Sequence, residues 1–180
     1  MLADHRGEIS KLSPVLREEC HSDIGPIRSI TERAFHGMPY AGGDEQDVID
    51  RLRTANALTL SLVAVLGSEL VGHIAFSPAV ASDGSGPWFA LGPVSVLPEY
   101  QCRGIGSALI ESGLARLEKL NALGCILTGN PSYYKKFDFR LAPDIAPSNE
   151  PAEFFMLKIL SAEAFPGGRF AFHKAFYGGA

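Results

Sequence analysis

The chain has 180 residues, of which 46% are hydrophobic and 20% are charged, and its formal net charge is −4. This length suits one hydrophobic core, so we expect a single domain over residues 1–180 with a loose segment over 1–12. Nucleic-acid binding rests on basic surfaces that meet phosphates, and the negative charge argues against it. No apolar run is long enough for a membrane span, and no apolar signal-peptide core opens the sequence. We therefore predict a cytoplasmic protein that binds neither nucleic acid nor membranes.

The three cysteines indicate neither a disulfide framework nor a metal site. Cys20, Cys102 and Cys125 are an odd number at wide spacing, whereas disulfide scaffolds and zinc sites use closely spaced sets. Free thiols are typical of a reducing cytoplasm. We expect no metal ion.

The first half of the chain predicts strands and helices in a mixed order. Pro14 favours an edge position for the first strand, and Asp44 followed by Asp47 is typical of a helix cap. In chain order, the predicted elements are a strand over 13–20, a helix from Ser22 or Asp23 to about Phe35, a loop over 36–43, a helix from Asp44, and strands over 58–67 and 69–78 joined by a short turn.

The second half predicts a strand interrupted by Gly92 and Pro93, since glycine suits a bulge and proline cannot donate to a ladder. The elements are a strand over 84–98, a helix over 104–120, a strand over 124–129, a short helix from Pro131, and strands over 153–160 and 168–176. This order predicts a mixed sheet with helices packed on it. The last strand is also able to pair between the subunits of a homodimer.

The stretch VSVLPEYQCRGIGSALI (94–110) places two glycines where a helix begins. The first amides of a helix lack partners within it and carry partial positive charge. Gly104 and Gly106 remove the β-carbons that would keep an anion away, and Arg103 adds a positive charge. The stretch predicts a site for a phosphate or pyrophosphate, and the alternative is a plain turn.

Two common nucleotide-binding motifs do not match this loop. A Walker loop requires a lysine after its last glycine, and none follows Gly106. The dinucleotide fingerprint requires a third glycine where Leu109 stands.

The pattern Gln101-x-x-Gly104-x-Gly106 instead resembles the acyl-CoA pyrophosphate loop, (Q/R)-x-x-G-x-(G/A), of the GNAT superfamily of N-acetyltransferases. The order of elements over about Val15–Phe176, including PSYYKKFDF, is similar to that family. The ending PAEFFMLKIL…FPGGRFAFHKAF resembles a bacterial branch with mostly unassigned substrates. The resemblance implies an α/β (α+β) fold with a single mixed, mostly antiparallel central sheet of about seven strands and helices on both faces.

The resemblance also implies acetyl-CoA as the acyl donor. In that family the strand before the loop is splayed from the next strand, and the pantetheine arm pairs with it like an added strand. Here that strand would offer the backbone groups of Val94 and Val96, while the pyrophosphate would lie on the loop amides. The implied cofactor-binding residues are Val94, Ser95, Val96, Gln101, Cys102, Arg103, Gly104, Ile105, Gly106 and Ser107.

Acetyl transfer to an amine requires a base, donors for the oxyanion and an acid for the leaving thiolate. The family places a tyrosine acid in a segment resembling x-Y-x-x-x-G-F, which implies Tyr134 as the catalytic acid here. Asp138 departs from that pattern because glycine is usual at its position, and aspartate tolerates a left-handed conformation better than most residues. A backbone N–H of the splayed strand is the expected oxyanion donor. His73 and Glu99 are the candidate bases, and neither is favoured.

The amine acceptor would be a small molecule or a protein. The loop His36–Tyr40, Phe76 and Trp88 are expected to line its pocket. Lys135 and Lys136 are candidates to meet the 3′-phosphate of CoA. One acidic run consists of Asp44, Glu45, Asp47 and Asp50. Attraction of a cationic amine is one interpretation of this run, and favourable charge at a helix start is the preferred one.

Two functions from different classes fit these residues. The first is an acetyl-CoA-dependent N-acetyltransferase that works by direct attack in a ternary complex. The second is a non-catalytic acyl-CoA-binding sensor or complex subunit. The loop from Gln101 to Gly106 fits both, and Tyr134 favours the enzyme because an acid has no use in a binder.

Overall fold

The structure, a computed structural model, describes residues 13–39 and 41–178. The segment 1–12 and Tyr40, for which we made predictions, lie outside the described residues. The helices are α1 (Ile24–Phe35), α2 (Glu45–Thr54), α3 (Ile105–Lys119) and α4 (Pro131–Tyr134). The strands are β1 (Val15–Glu18), β2 (Leu60–Leu66), β3 (Glu69–Ala81), β4 (Trp88–Val96), β5 (Gly124–Thr128), β6 (Arg140–Leu141), β7 (Phe155–Ile159) and β8 (Phe170–Phe172).

One sheet contains eight strands in the order β1-β2-β3-β4-β5-β7-β6, and β8 also pairs with β3. The pairing of β4 with β5 is parallel, and the others are antiparallel. The predicted mixed, mostly antiparallel sheet is therefore confirmed. It has one strand more than expected, because the two-residue β6 is too short to leave a pattern in the sequence.

Helices cover both faces of the sheet. A Cβ built on Gly72 of β3 would lie 3.1–3.2 Å from side chains of Leu109 and Ile105, so this residue faces α3. Ser95 of β4 points to the other face, where its hydroxyl lies 3.2 Å from the Thr31 hydroxyl of α1. Because successive strand residues face opposite sides, the α1 side also receives His73, the neighbour of Gly72.

Two strands differ in extent from their predictions. The strand β3 continues through Pro78 to Ala81, because its partner on one side changes there from β2 to β8 and proline is tolerated where a ladder is interrupted. The last strand ends at Phe172, since the His173 ring accepts a hydrogen bond from the Ala175 N–H and starts a 3-10 turn. This strand pairs with β3 of its own chain.

Candidate active site

A gap opens between β4 and β5, which are paired over only three residues each. Trp88–Ala90 lies beside Gly124–Ile126, whereas β4 continues to Val96 and β5 to Thr128. The strands diverge beyond the paired segment. Among the residues that the structure describes, no strand pairs with the edge of β4 that faces β5 after Ala90.

The interruption predicted at Gly92 and Pro93 is confirmed as a bulge in β4. Gly92 has a φ of +139°, which suits glycine alone among common residues. The register with β3 shifts at this point, so that Gly92 and Pro93 together face Ala75. Two residues against one is the arrangement of a β-bulge, which bends the strand and turns its edge.

The backbone groups of Val94 and Val96 point into the gap. The Leu97 N–H donates to a β3 carbonyl at 2.9 Å. Bonded and non-bonded pairs alternate in an antiparallel ladder, so His73 with Ser95 forms the next bonded pair. Val94 and Val96 lie between these bonds and turn their N–H and C=O groups toward β5. Ser95, predicted as part of the same set, turns its backbone to β3 instead.

The glycine loop exposes free amides at the start of α3. Gly104 has a φ of +82°, and a Cβ built on it would have no neighbour within 4 Å. Cys102 is exposed and also has a positive φ, of +59°. The first regular helical bond runs from the Ala108 N–H to the Gly104 carbonyl at 2.9 Å. The helical amides before that bond belong to Ile105, Gly106 and Ser107.

Gln101 holds the loop against the strand that precedes it. Its side-chain amide donates to the Val96 carbonyl at 3.0 Å, and its N–H donates to the Pro98 carbonyl at 3.3 Å. The Gln101 N–H is therefore not available to an anion, and the predicted anion site is limited to the amides that follow Gln101. Arg103 lies over the Tyr100 ring, 5.4 Å from its centroid.

The helix α4 forms at the end of β5 as the sequence predicts. Pro131 occupies its first turn, and the Asn130 side chain caps it by accepting from the Ser132 N–H at 2.9 Å. Asp138, the departure from the family pattern, has a φ of +65°, so the position does require the left-handed region. The Lys158 ammonium lies 3.2 Å from the Asp138 carboxylate.

Tyr134 stands where β5 ends, next to the gap. Its ring packs on Gly129, where an added Cβ would lie 2.6 Å from a ring carbon. Burial raises the pKa of the Tyr134 hydroxyl above its ordinary value, so the group is protonated at neutral pH. Within residues 13–39 and 41–178 the structure records no hydrogen-bond partner for this hydroxyl, which leaves its proton available.

Tyr133 and Lys136 bring α4 to the start of α3. A Cβ built on Gly106 would lie 3.1 Å from the Tyr133 hydroxyl oxygen. The Lys136 ammonium lies 3.0 Å from the Ser107 hydroxyl and 4.2 Å from the centroid of the Tyr133 ring. The sequence analysis did not place Tyr133 at the loop. The signal was its separation of three residues from Lys136, which puts both on one helical face.

Comparisons with known proteins agree with this geometry. The model of the acetyltransferase (GNAT) family matches residues 26–139. The chain belongs to the GNAT family. The uncharacterized N-acetyltransferase YhbS of Escherichia coli K12 is 28% identical over 129 residues, which are 71% of this chain and 74% of YhbS.

Two solved structures resemble the GNAT chain over nearly their whole lengths. A GNAT family acetyltransferase from Brucella melitensis, in complex with acetyl-CoA, is 40% identical with a TM-score of 0.80, over 91% of this chain and 98% of that one. YhbS from Escherichia coli, in complex with CoA, has a TM-score of 0.82 at 24% identity over 92% of both chains. The second likeness shows the fold, and the first is also a clear sequence relationship.

Neither candidate base of this GNAT chain is free to take a proton from an amine, because Glu99 is ion-paired and His73 is enclosed. Glu99 is held by the Arg33 guanidinium at 2.8 and 3.0 Å. A backbone hydrogen bond and Arg33 lower the pKa of Glu99, which weakens it as a proton acceptor. His73 is 0% exposed, so an amine has no direct path to it.

His73 belongs to a buried hydrogen-bond chain under the α1 side of the sheet. The Ser61 hydroxyl donates to the Glu19 carboxylate, and its oxygen lies 2.7 Å from His73 Nε2. Because a hydroxyl has one proton, the Ser61 oxygen must accept from His73 Nε2–H. Arg53 lies 3.0 Å from Glu19. Burial lowers the pKa of His73 from 6.5 to about 4. The histidine is therefore neutral at neutral pH.

We expect His73→Gln to flatten the loss of stability toward acidic pH. The unfolded chain takes up a proton near pH 6.5, whereas folded His73 does so only at about 4, so the contribution of His73 is complete above 6.5 and is lost as pH falls toward 4. The full difference is roughly 3 kcal/mol. Urea unfolding at pH 7 and pH 4.5 measures it, and Gln keeps a donor for Ser61. Equal pH dependence in both proteins would show that His73 is not the responsible group.

The loop after α1 lines a groove, as predicted for the acceptor side. The groove has a volume of about 340 Å³. Its apolar part comes from Phe35 and Met38, and Met38 is 47% exposed. The lining residues are Glu32, Phe35, His36, Gly37, Met38, Ala41, Gly43, Glu45 and Gln46.

The two predicted strand residues of the acceptor pocket are wrong, because both side chains are in the core. Phe76 is 0% exposed and packs so closely on α3 that a Cβ on Gly113 would lie 2.2 Å from its ring. Trp88 is 2% exposed and stacks edge-on with Phe170 at 5.2 Å. Neither strand position is open to a ligand, since a helix or another strand covers it.

The acidic run is paired with arginines rather than open to an amine. Arg51 lies 2.7 Å from Asp44, while Arg28 lies 2.8 Å from Asp47 and 2.7 Å from Asp50. The expected cap is formed differently, since the Glu45 carboxylate accepts from the N–H groups of Gly42 and Gly43. This supports the interpretation of the run as charge at a helix start.

Two further features bear on the expected partners. Among residues 13–39 and 41–178, no helix is both long and apolar enough to cross a membrane. The same residues contain no group of three or more His, Cys, Asp and Glu side chains able to hold a metal ion.

Proposed function

We propose that this chain is an acetyl-CoA-dependent N-acetyltransferase that transfers an acetyl group to a primary amine by direct attack in a ternary complex. The observation that carries the proposal is the unpartnered edge of β4. The groups of Val94 and Val96 face a gap that ends at the exposed amides of the glycine loop. An extended chain with amides at one end and a pyrophosphate at the other matches both parts.

We expect acetyl-CoA to bind without rearrangement of the backbone. The Val94 N–H and C=O and the Val96 N–H are free for the pantetheine amides, while Gln101 occupies the Val96 carbonyl. The free amides from Cys102 to Ser107 suit the pyrophosphate, because Gly104 leaves open space above the backbone. When bound, acetyl-CoA supplies the activated acetyl group as a thioester.

Besides a base for the amine proton, the chemistry needs a hydrogen-bond donor for the oxyanion and an acid for the leaving thiolate. Negative charge develops on the thioester oxygen during the attack. We assign the stabilisation of this charge to a backbone N–H of β4, which the bulge at Gly92 holds in place. We assign protonation of the leaving thiolate to Tyr134. Its raised pKa keeps the proton on the phenol before the reaction, and the same burial would also raise the pKa of a thiol beside it, which favours transfer of the proton to the thiolate.

The groove beside the α1–α2 loop is the proposed acceptor site. It combines apolar surface from Phe35 and Met38 with carboxylates of Glu32 and Glu45. A primary amine on a small molecule or a protein suits such a surface, because the side chains of Phe35 and Met38 would pack against its hydrocarbon part. We leave the base unassigned, since His73 is enclosed and Glu99 is held by Arg33.

A thermal-shift panel with acetyl-CoA, CoA, ATP and NAD tests the donor class. Ligand at ~100 Kd adds roughly 2.7 kcal/mol, which corresponds to about 5–10 °C for a domain of this size. We expect stabilisation by acetyl-CoA and CoA alone. A shift with only ATP or NAD, or none with any ligand, would contradict the proposal.

An amine screen with acetyl-CoA then separates the enzyme from a sensor. Release of free CoA thiol that depends on an added amine supports transfer. Tight binding of acetyl-CoA without amine-dependent thiol release, across polyamines, amino-acid amines and peptides with free amines, would favour the non-catalytic acyl-CoA binder.

A further inference from the structure

Lys136 is held at the glycine loop by contacts that leave its charge unneutralised. Its ammonium lies 3.0 Å from the Ser107 hydroxyl, and the ring centroids of Tyr133 and Phe137 lie 4.2 and 4.9 Å away. Among the described residues no carboxylate lies within ion-pair distance of it. Several other basic side chains do have carboxylate partners, namely Arg17, Arg28, Arg33, Arg51, Arg53, Arg116 and Lys158.

An ammonium has three donors, and the recorded protein contact of Lys136 uses one. The remaining donors stand next to the amides that precede the first helical bond of α3. A flexible lysine loses substantial rotamer freedom when it is held in one place. Cation–π contacts with the rings of Tyr133 and Phe137 offset part of that loss, so the side chain is in position before a ligand arrives.

We propose that Lys136, in the 3-10 turn that follows α4, is a ligand of the acyl-CoA pyrophosphate, with the Tyr133 ring as the platform that holds its ammonium there. The proposal rests on the proposed function above. The 40% identical relative that was solved in complex with acetyl-CoA supports the class of ligand, and the position of Lys136 rests on its contacts with Ser107 and Tyr133. The contact with Ser107 places Lys136 at the third residue of α3, which is the pyrophosphate end of the site rather than the 3′-phosphate end.

This arrangement gives α4 and the 3-10 turn that follows it one role each. Lys136 contacts the donor through its phosphates, and Tyr134 lies two residues earlier beside the gap. Tyr133 and Tyr134 pack edge-on with centroids 5.0 Å apart. Binding of the pyrophosphate therefore stabilises the orientation of the helix that carries the proposed acid.

Calorimetric titration of CoA and 3′-dephospho-CoA into the wild type, Lys136→Met and Lys119→Met tests the proposal. Methionine keeps the length and the apolar stem but removes the charge. We expect Lys136→Met to weaken both ligands by about tenfold, because each carries the pyrophosphate. Lys119→Met is the matched control, since it removes the same charge from an exposed side chain at the opposite end of α3, and we expect a change under about twofold.

The outcomes separate this inference from the proposed function. If the wild type binds no CoA, the proposed function fails and this inference fails with it. If the wild type binds CoA and Lys136→Met binds both ligands equally well, only the inference fails. Weaker binding of CoA without weaker binding of 3′-dephospho-CoA would move Lys136 to the 3′-phosphate and overturn the assignment.

Two further measurements exclude a merely structural effect. The melting temperature of ligand-free Lys136→Met should match that of the wild type, because the replaced side chain is exposed. Tyr133→Leu removes the platform while keeping the charge, and we expect a loss in the same direction of about threefold for both ligands. Unchanged affinity in Tyr133→Leu would show that the ring does not hold the ammonium.

Discussion

Tyr134→Phe should lower kcat by about 100-fold or more and leave the affinity for acetyl-CoA within about twofold. The substitution removes one hydroxyl and keeps the ring that packs on Gly129, so the fold and the gap are preserved. The lost proton must then come from water, which the buried position of the hydroxyl disfavours. Steady-state kinetics with an amine found in the screen, together with calorimetry of CoA, measure the two quantities separately.

Tyr177→Phe is the control for this change. That hydroxyl also has a raised pKa through burial, but it belongs to the C-terminal segment near α2 and has no part in the proposed site. Its kcat should match that of the wild type. An unchanged kcat in Tyr134→Phe would remove Tyr134 from the mechanism, whereas equal losses in both variants would indicate a general effect on stability.

Gly104→Val should weaken acetyl-CoA binding by about 10–100-fold. A branched side chain is strained at a φ of +82°, and its methyl groups would fill the open space where the pyrophosphate is proposed to lie. Strain and crowding act together at this one position. Calorimetric titration of CoA into the folded variant is the measurement.

Gly84→Val separates crowding from strain. Gly84 has a φ of +78° and equally open surroundings, but it lies in the turn between β3 and β4, at the opposite end of β4 from the loop. We expect a similar fall in melting temperature and normal CoA affinity. Normal affinity in Gly104→Val would contradict the loop as the pyrophosphate site.

The predicted effect of Tyr134→Phe on kcat and that of Gly104→Val on acetyl-CoA binding concern neighbouring parts of one proposed site. The glycine loop and the edge of β4 would hold the donor, while α4 would contribute the acid and the 3-10 turn after it would contribute a phosphate ligand. This helix is only four residues long, and isolated helices of that length are unstable. Its position depends on packing against the end of β5, so ligand contacts through Lys136 matter more here than they would on a long helix.

Local patterns in the sequence predicted the parts of the molecule that depend on neighbouring residues. The sequence predicted the glycines before α3, the interruption at Gly92 and Pro93, and Pro131 in the first turn of α4, because turn and helix-start chemistry acts within a few residues. The motif from Gln101 to Gly106 was specific enough to indicate the family.

Residues that meet across the sheet were not predictable in the same way. Phe76 and Trp88 were expected to line the acceptor pocket, but α3 covers Phe76 and β8 covers Trp88. Side-chain alternation along a strand shows which residues share a face. It does not show which helix or strand covers that face.

The sequence by itself determined the class of loop, the order of elements and the segment that carries Tyr134, since each depends on short-range backbone chemistry. Only the tertiary structure decided that β4 and β5 separate after three paired residues, that His73 is enclosed, and that Lys136 reaches Ser107 across 29 residues of chain. These features depend on sheet register and on packing between distant segments. Such contacts are set by the shape of the whole core rather than by any local pattern.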